Sequence, residues 1–199
     1  MNILRIFAPL GLAICLLAPS GMAMADWKLE STQSTINFVS IKNDVVGEVH
    51  NFSSLQGYIG ADGKAQPTIN LNSVETLIEV RNERMRELLF ETVEFPTATI
   101  SAQIDPALLA AVAEGVVMTT ELPITLSLHG QEKALTVAVV IVGEGDGGIR
   151  IYSPRPVVIN AGDFGLAAGV EALQKIAGLD AISAAVPVTL QLLFIPAEA

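Results

Sequence analysis

This 199-residue chain has little cysteine, histidine or aromatic side chain, and few basic residues. It holds one cysteine (Cys15), two histidines, one tryptophan and two tyrosines, with 11 Lys+Arg against 21 Asp+Glu and a formal charge of −10. A single thiol forms no intrachain disulfide and no cysteine metal cluster. A surface this acidic repels phosphates and anionic headgroups, which argues against nucleic-acid binding and electrostatic membrane docking. His50 and His129 lie far apart, and neither is followed by the spacing of a helical metal site. There is no G-x-S-x-G elbow to support a hydrolase serine. Gly143–Gly148 is glycine-rich but lies between two strand-like segments, so it reads as a hairpin tip and not a phosphate loop.

The N-terminus carries one charge, Arg5, then an apolar stretch through Leu17, then Ala23-Met24-Ala25. This is the pattern of a secretory signal peptide over residues 1–25. Cleavage would leave 174 of the 199 residues, with 10 basic and 21 acidic side chains (−11) and no cysteine. A lipoprotein signal needs a small residue before Cys15, where Ile14 stands. An uncleaved anchor would be short and broken by Pro9 and Pro19. The expectation is one domain over 26–199, exported to the periplasm without stable membrane insertion.

Alternation dominates the remainder. Leu122, Ile124, Leu126 and Leu128 share one parity; so do Ala98, Ile100, Ala102 and Ile104, and again Val188, Leu190, Leu192 and Phe194. Period two means strands with one buried face. Shorter versions occur around Ile36 and Phe38 and around Ile69 and Leu71, while Val137–Val142 is apolar on both faces. Asp62-Gly63, His129-Gly130 and Gly143–Gly148 separate neighbouring strands as hairpin turns do. Eight or nine strands in this length suit a sandwich or a closed barrel.

Two segments lengthen the period. In 79–91, Met85, Leu88 and Leu89 can share a helical face; in 163–178, Leu166, Val170, Leu173 and Ala177 do, with Asp163 placed to cap and Gly178 placed to terminate. Glu75, Glu79, Glu83 and Glu87 recur every four residues as an acidic stripe, offset by Arg81, Arg84 and Arg86. The solvated-face reading takes most of the weight; arginines at a pocket mouth, meeting a polar headgroup, take the rest. Small inward residues such as Ala98 and Ala102 leave room in a barrel interior. From the residues alone, a ligand-holding barrel and a filled sandwich used for interaction both stay open.

Several local patterns in order resemble the YceI-like polyisoprenoid-binding family. They are Trp27-Lys28-Leu29 with Ser34–Phe38, Ile69–Thr76, Arg81–Met85, Glu94–Ala98, Leu126–Gly130 and Asp163-Phe164-Gly165. The resemblance implies an all-β fold, an antiparallel eight-stranded lipocalin-like barrel with one or two short helices near its mouth. It also implies a periplasmic carrier without catalysis, holding a long-chain isoprenoid or fatty amphiphile, such as a polyisoprenoid or isoprenoid quinone, and needing no cofactor. The lumen candidates are Ile36, Phe38, Ile69, Leu71, Ile100, Leu126, Leu128, Leu190 and Leu192, with Met85, Leu88 and Leu89 closing one end. The alternatives are a filled barrel serving as an interaction or stress-related module, or a lipid-modifying enzyme with His129 as acid–base group; a turn histidine bonded to backbone is the plainer role. A homodimer through an exposed edge or apolar mouth is compatible with either barrel. The segment Val45–Phe52 and the Ala-rich helix at 164–177 depart from the family's common pattern.

Overall fold

The computed structural model describes residues 25–113 and 115–197. The leader assigned to residues 1–25 lies outside them except for Ala25, which opens the first strand. The strands are β1 (Ala25–Leu29), β2 (Thr35–Lys42), β3 (Val46–Phe52), β4 (Leu55–Gln56), β5 (Tyr58–Gly60), β6 (Lys64–Ala65), β7 (Thr68–Asn70), β8 (Val74–Glu75), β9 (Thr97–Gln103), β10 (Met118–Leu128), β11 (Gln131–Gly143), β12 (Ile149–Tyr152), β13 (Val157–Asn160) and β14 (Ala185–Pro196). Every pairing between them is antiparallel.

The barrel has two storeys. In the lower one, β1, β5, β6, β9, β10, β11, β12 and β14 pair in that order, and β14 returns to β1, closing a ring of eight. In the upper one the wall is rebuilt. β3 and β4 form one bent strand and β7 and β8 another, their ladder carried across the bend by Ser53 N–H to Ser73 O (3.0 Å) and Asn70 N–H to Ser54 O (3.1 Å). The upper wall then runs β13, β14, β2, β3/β4, β7/β8, β9, β10 and β11. Among the described residues β13 pairs only with β14, and β11 meets β12 only from Val140 onward, so a seam separates β11 from β13.

Alternation explains which face is buried, and the storey explains how deeply. In β14, Leu192 and Phe194 are sealed in the lower core with Ile59, Ile104, Ile141 and Ile149, while Val188 and Leu190 of the same parity are only half-buried. The β10–β11 hairpin turns on two residues, His129 (φ 51°) and Gly130 (φ 71°), the doubly left-handed turn that matches strand twist.

Among the described residues three helices occur: two at the mouth, as expected, and one more against the lower core. α1 (Glu79–Arg84) continues into a widened π-turn over Met85–Leu89, marked by Phe90 N–H to Met85 O (2.9 Å). α2 (Pro106–Ala113), begun by Pro106 and by Asp105 Oδ1 accepting from Ala107 N–H (2.8 Å), buries Leu109 and Val112 in the lower core. α3 (Ala167–Ala177) ends at left-handed Gly178 as expected but does not start at Asp163. That residue belongs to a separate 3₁₀ turn, Ala161–Phe164, whose cap is Asn160 Oδ1 accepting from Gly162 N–H, and left-handed Gly165 (φ 72°) divides it from α3. α3 lies on the π-turn because Gly169 has no side chain: a Cβ there would stand 2.5 Å from Leu88 O and 2.8 Å from Leu89 Cα. No helix among the described residues is long and apolar enough to cross a membrane.

Candidate functional site

The upper storey encloses a chamber of about 180 Å³ lined by 22 residues, all apolar. Ile36 and Phe38 enter from β2, Ala98 and Ile100 from β9, Ile124, Leu126 and Leu128 from β10, and Val186, Val188 and Leu190 from β14. Leu89 of the π-turn, Phe90 directly after it, and Leu166 and Val170 around α3 complete the lining as a lid. Leu135 and Val137 face Val157 and Ile159 across the seam. With no polar partner to offer, such a space excludes water and accepts apolar guests.

A second chamber of about 340 Å³ continues from the first and shares Phe38, Leu89, Val170 and Val186 with it. Its wall is mixed: Met85, Ile78, Val80, Leu173 and Ile182 alternate with Ser40, Lys42, His50, Arg81, Arg84 and Ser183. Asn43 fixes the rim, its Oδ1 accepting from Asp180 N–H (2.9 Å) and so tying the β2–β3 turn to the segment after α3. Leu77, in a left-handed conformation (φ 63°), projects its side chain almost wholly into solvent beside this mouth.

His50 is only 4% exposed. Its Nε2 lies 2.8 Å from Ser40 Oγ, its ring leans on Phe38 at 5.2 Å, and its Nδ1 has no hydrogen-bond partner. Burial, reinforced by Arg81, pushes the imidazole below its usual range, so it is neutral at pH 7. Glu48 receives Lys42 Nζ at 2.6 Å and Arg81 Nη1 at 2.5 Å; those hydrogen bonds, Lys42's first, hold its carboxyl below the usual carboxylate range. Arg81 also donates to Thr76 O (2.6 Å).

Nine of the twelve lumen candidates meet in the apolar chamber: Ile36, Phe38, Ile69, Leu71, Leu89, Ile100, Leu126, Leu128 and Leu190. Met85 lines the second chamber. Leu192 and Leu88 line neither. Leu192 stands one storey too low, in the filled core, and the π-turn rotates Leu88 away from the face shared by Met85 and Leu89. Phe52, Phe90, Val157, Ile159, Leu166 and Val170 were missed. Of these, Phe52 carried a signal, sharing its parity on β3 with His50. The acidic stripe loses Glu75, which belongs to β8 and caps Leu77 N–H, while Glu79, Glu83 and Glu87 are exposed along α1 and the π-turn, Glu79 pairing with Arg86 at 2.8 Å. His129 bonds a side chain and not backbone, its Nε2 lying 2.8 Å from Glu91 Oε2, and it packs on Phe95. Among the described residues no three metal-binding side chains converge.

A lipocalin-like barrel with an apolar, lidded interior and a charged mouth is the class this geometry defines. The YceI-like domain family model matches residues 27–194, and the chain belongs to that family. It is similar to a polyisoprenoid-binding domain from Saccharophagus degradans implicated in plant cell wall breakdown, with 38% identity, a TM-score of 0.84, and 87% of this chain and 100% of that one covered. The fold also matches BcnA of Burkholderia cenocepacia (20% identity, TM-score 0.63, 83% and 98% covered) and a YceI protein of Campylobacter jejuni (16%, 0.53, 75% and 85%). No curated protein sequence matches the chain.

Proposed function

We propose that this protein is a periplasmic carrier that holds the tail of a long-chain amphiphile, a polyisoprenoid or isoprenoid quinone, in the upper storey of its barrel and performs no chemistry on it. The observation that carries this reading is the chamber whose 22 lining residues are all apolar, opening into a wider and partly polar mouth. The polyisoprenoid-binding domain at 38% identity supports the same cargo class. The apolar chamber alone is smaller than a typical ligand pocket, but joined to the mouth chamber it falls well within the range of about 300–1,000 Å³. The seam between β11 and β13 is where the wall can widen without breaking a ladder. Binding is driven by burial of apolar surface, about 25 cal/mol per Å², in a largely preformed site.

Titration with farnesol tests this reading. Phe38 and Leu126 line the chamber, so Phe38→Glu or Leu126→Glu sets an unpaired carboxylate in an apolar space and should abolish binding. A variant that folds, by its circular dichroism, and still binds farnesol as the wild type does overturns the assignment.

A further inference from the structure

We infer that the mouth chamber is a headgroup site selective for an anion, and that the amphiphile carried is a phosphate ester of an isoprenoid alcohol. The inference rests on the carrier reading above and narrows its ligand class. Although the chain as a whole is acidic, the side chains lining this chamber include Lys42, Arg81 and Arg84 and no carboxylate. Glu48, just outside the lining, engages Lys42 and Arg81 through the same oxygen and offsets one of the three positive charges. Arg84 has no carboxylate within 4.0 Å among the described residues. Two positive charges therefore remain beside an apolar space. A quinone or alcohol head would leave both uncompensated and a carboxylate would leave one. A phosphate monoester, with about −1.5 to −2 charge at neutral pH, matches them.

Hydrogen-bonding capacity agrees with charge. Arg81 Nε and His50 Nδ1 are buried without partners, and His50, more than nine-tenths buried, lines this chamber and not the apolar one. A buried polar atom left unpaired is costly, and a small shift of either side chain toward a ligand oxygen at the mouth would relieve it. The arrangement also orders the ligand: the tail lies inward past Phe38 and Leu89, two of the four residues common to both chambers, and the head stays at the rim. Guanidinium forks suit phosphate oxygens, and the partial burial of Arg81 and Lys42 limits screening.

The test compares three probes by calorimetric titration of the detergent-free protein: farnesyl monophosphate, farnesol and inorganic phosphate. Farnesyl monophosphate should bind at least about tenfold more tightly than farnesol, the effect of one charge-assisted hydrogen bond, and far more tightly than phosphate. Arg84→Gln, which breaks no ion pair among the described residues, and Lys42→Gln should each narrow that gap by weakening the phosphate ester more than farnesol. Equal affinity for farnesol and its phosphate would overturn the headgroup site and leave the carrier reading standing. Inorganic phosphate binding as tightly as the ester would mark a free-anion site and overturn the lipid assignment of the head. If neither isoprenoid binds, the carrier reading falls and this inference with it.

Discussion

Replacing Ala98 by leucine should make the ligand-free protein more stable and its ligand affinity weaker, a pairing of signs that ordinary core damage does not produce. Ala98 lies on β9 opposite Ile69, is buried, and faces the apolar chamber. That chamber is about 180 Å³, and an empty space of this size costs about 4 kcal/mol at roughly 24 cal/mol per Å³. Leucine adds three carbons where no protein atom now packs. At about 0.8 kcal/mol per buried carbon the gain is about 2.4 kcal/mol, brought to about 2 kcal/mol by strain in seating the branch. For a chain of this size that raises Tm by roughly 4–8 °C. The same carbons displace an equal part of the guest, so farnesol should lose about 2 kcal/mol, near thirtyfold in Kd. Differential scanning calorimetry without ligand and a farnesol titration measure the two halves. A stabilised variant that binds farnesol as tightly as the wild type would show that the guest lies elsewhere.

Two further outcomes follow from the lid and the throat. Gly169→Ala puts a methyl against the backbone of Leu88 and Leu89, so it should cost about 1–3 kcal/mol and speed hydrogen exchange across Ala167–Ala177, measured by mass spectrometry. His50 has a lowered pKa, so the unfolded chain binds its proton more readily than the fold; its contribution is complete above the unfolded value near 6.5 and is lost as pH falls below it. Stability should therefore drop from pH 7 to pH 5 by at most about 1.4 kcal/mol per unit from this group, and urea titrations of His50→Phe should show a flatter profile. Glu48 and Glu75, also lowered, act in a separate window below about 4.5.

Much of the barrel was legible because period two reports sidedness directly. The inward parity of β2, β9, β10 and β14 identified Ile36, Phe38, Ile100, Leu126, Leu128 and Leu190 as interior residues, and all six line the chamber. Parity says nothing about height. Leu190 and Leu192 look alike in sequence, yet one faces the chamber and the other a core filled from β12, β1 and α2, elements brought there only by the closed ring. The lid was legible as helix but not as geometry, because a π-turn has no side-chain signature and Asp163 is an equally good cap for a 3₁₀ turn. The mouth was read only in part. Arg81 and Arg84 appeared chiefly as the counter-charges of a solvated stripe, with a pocket mouth as the lesser reading, and Lys42 did not appear at all. These three meet because the β2–β3 hairpin folds back over α1, a long-range contact that local spacing does not encode.

The most direct measurement is mass spectrometry of an organic extract from protein exported to a bacterial periplasm and purified without detergent. The expected result is one long-chain isoprenoid amphiphile per folded protein, chemically intact. A well-folded protein whose extract holds no lipid, in a preparation with no free ligand lost during purification, would contradict the claim that the upper storey is a lipid chamber.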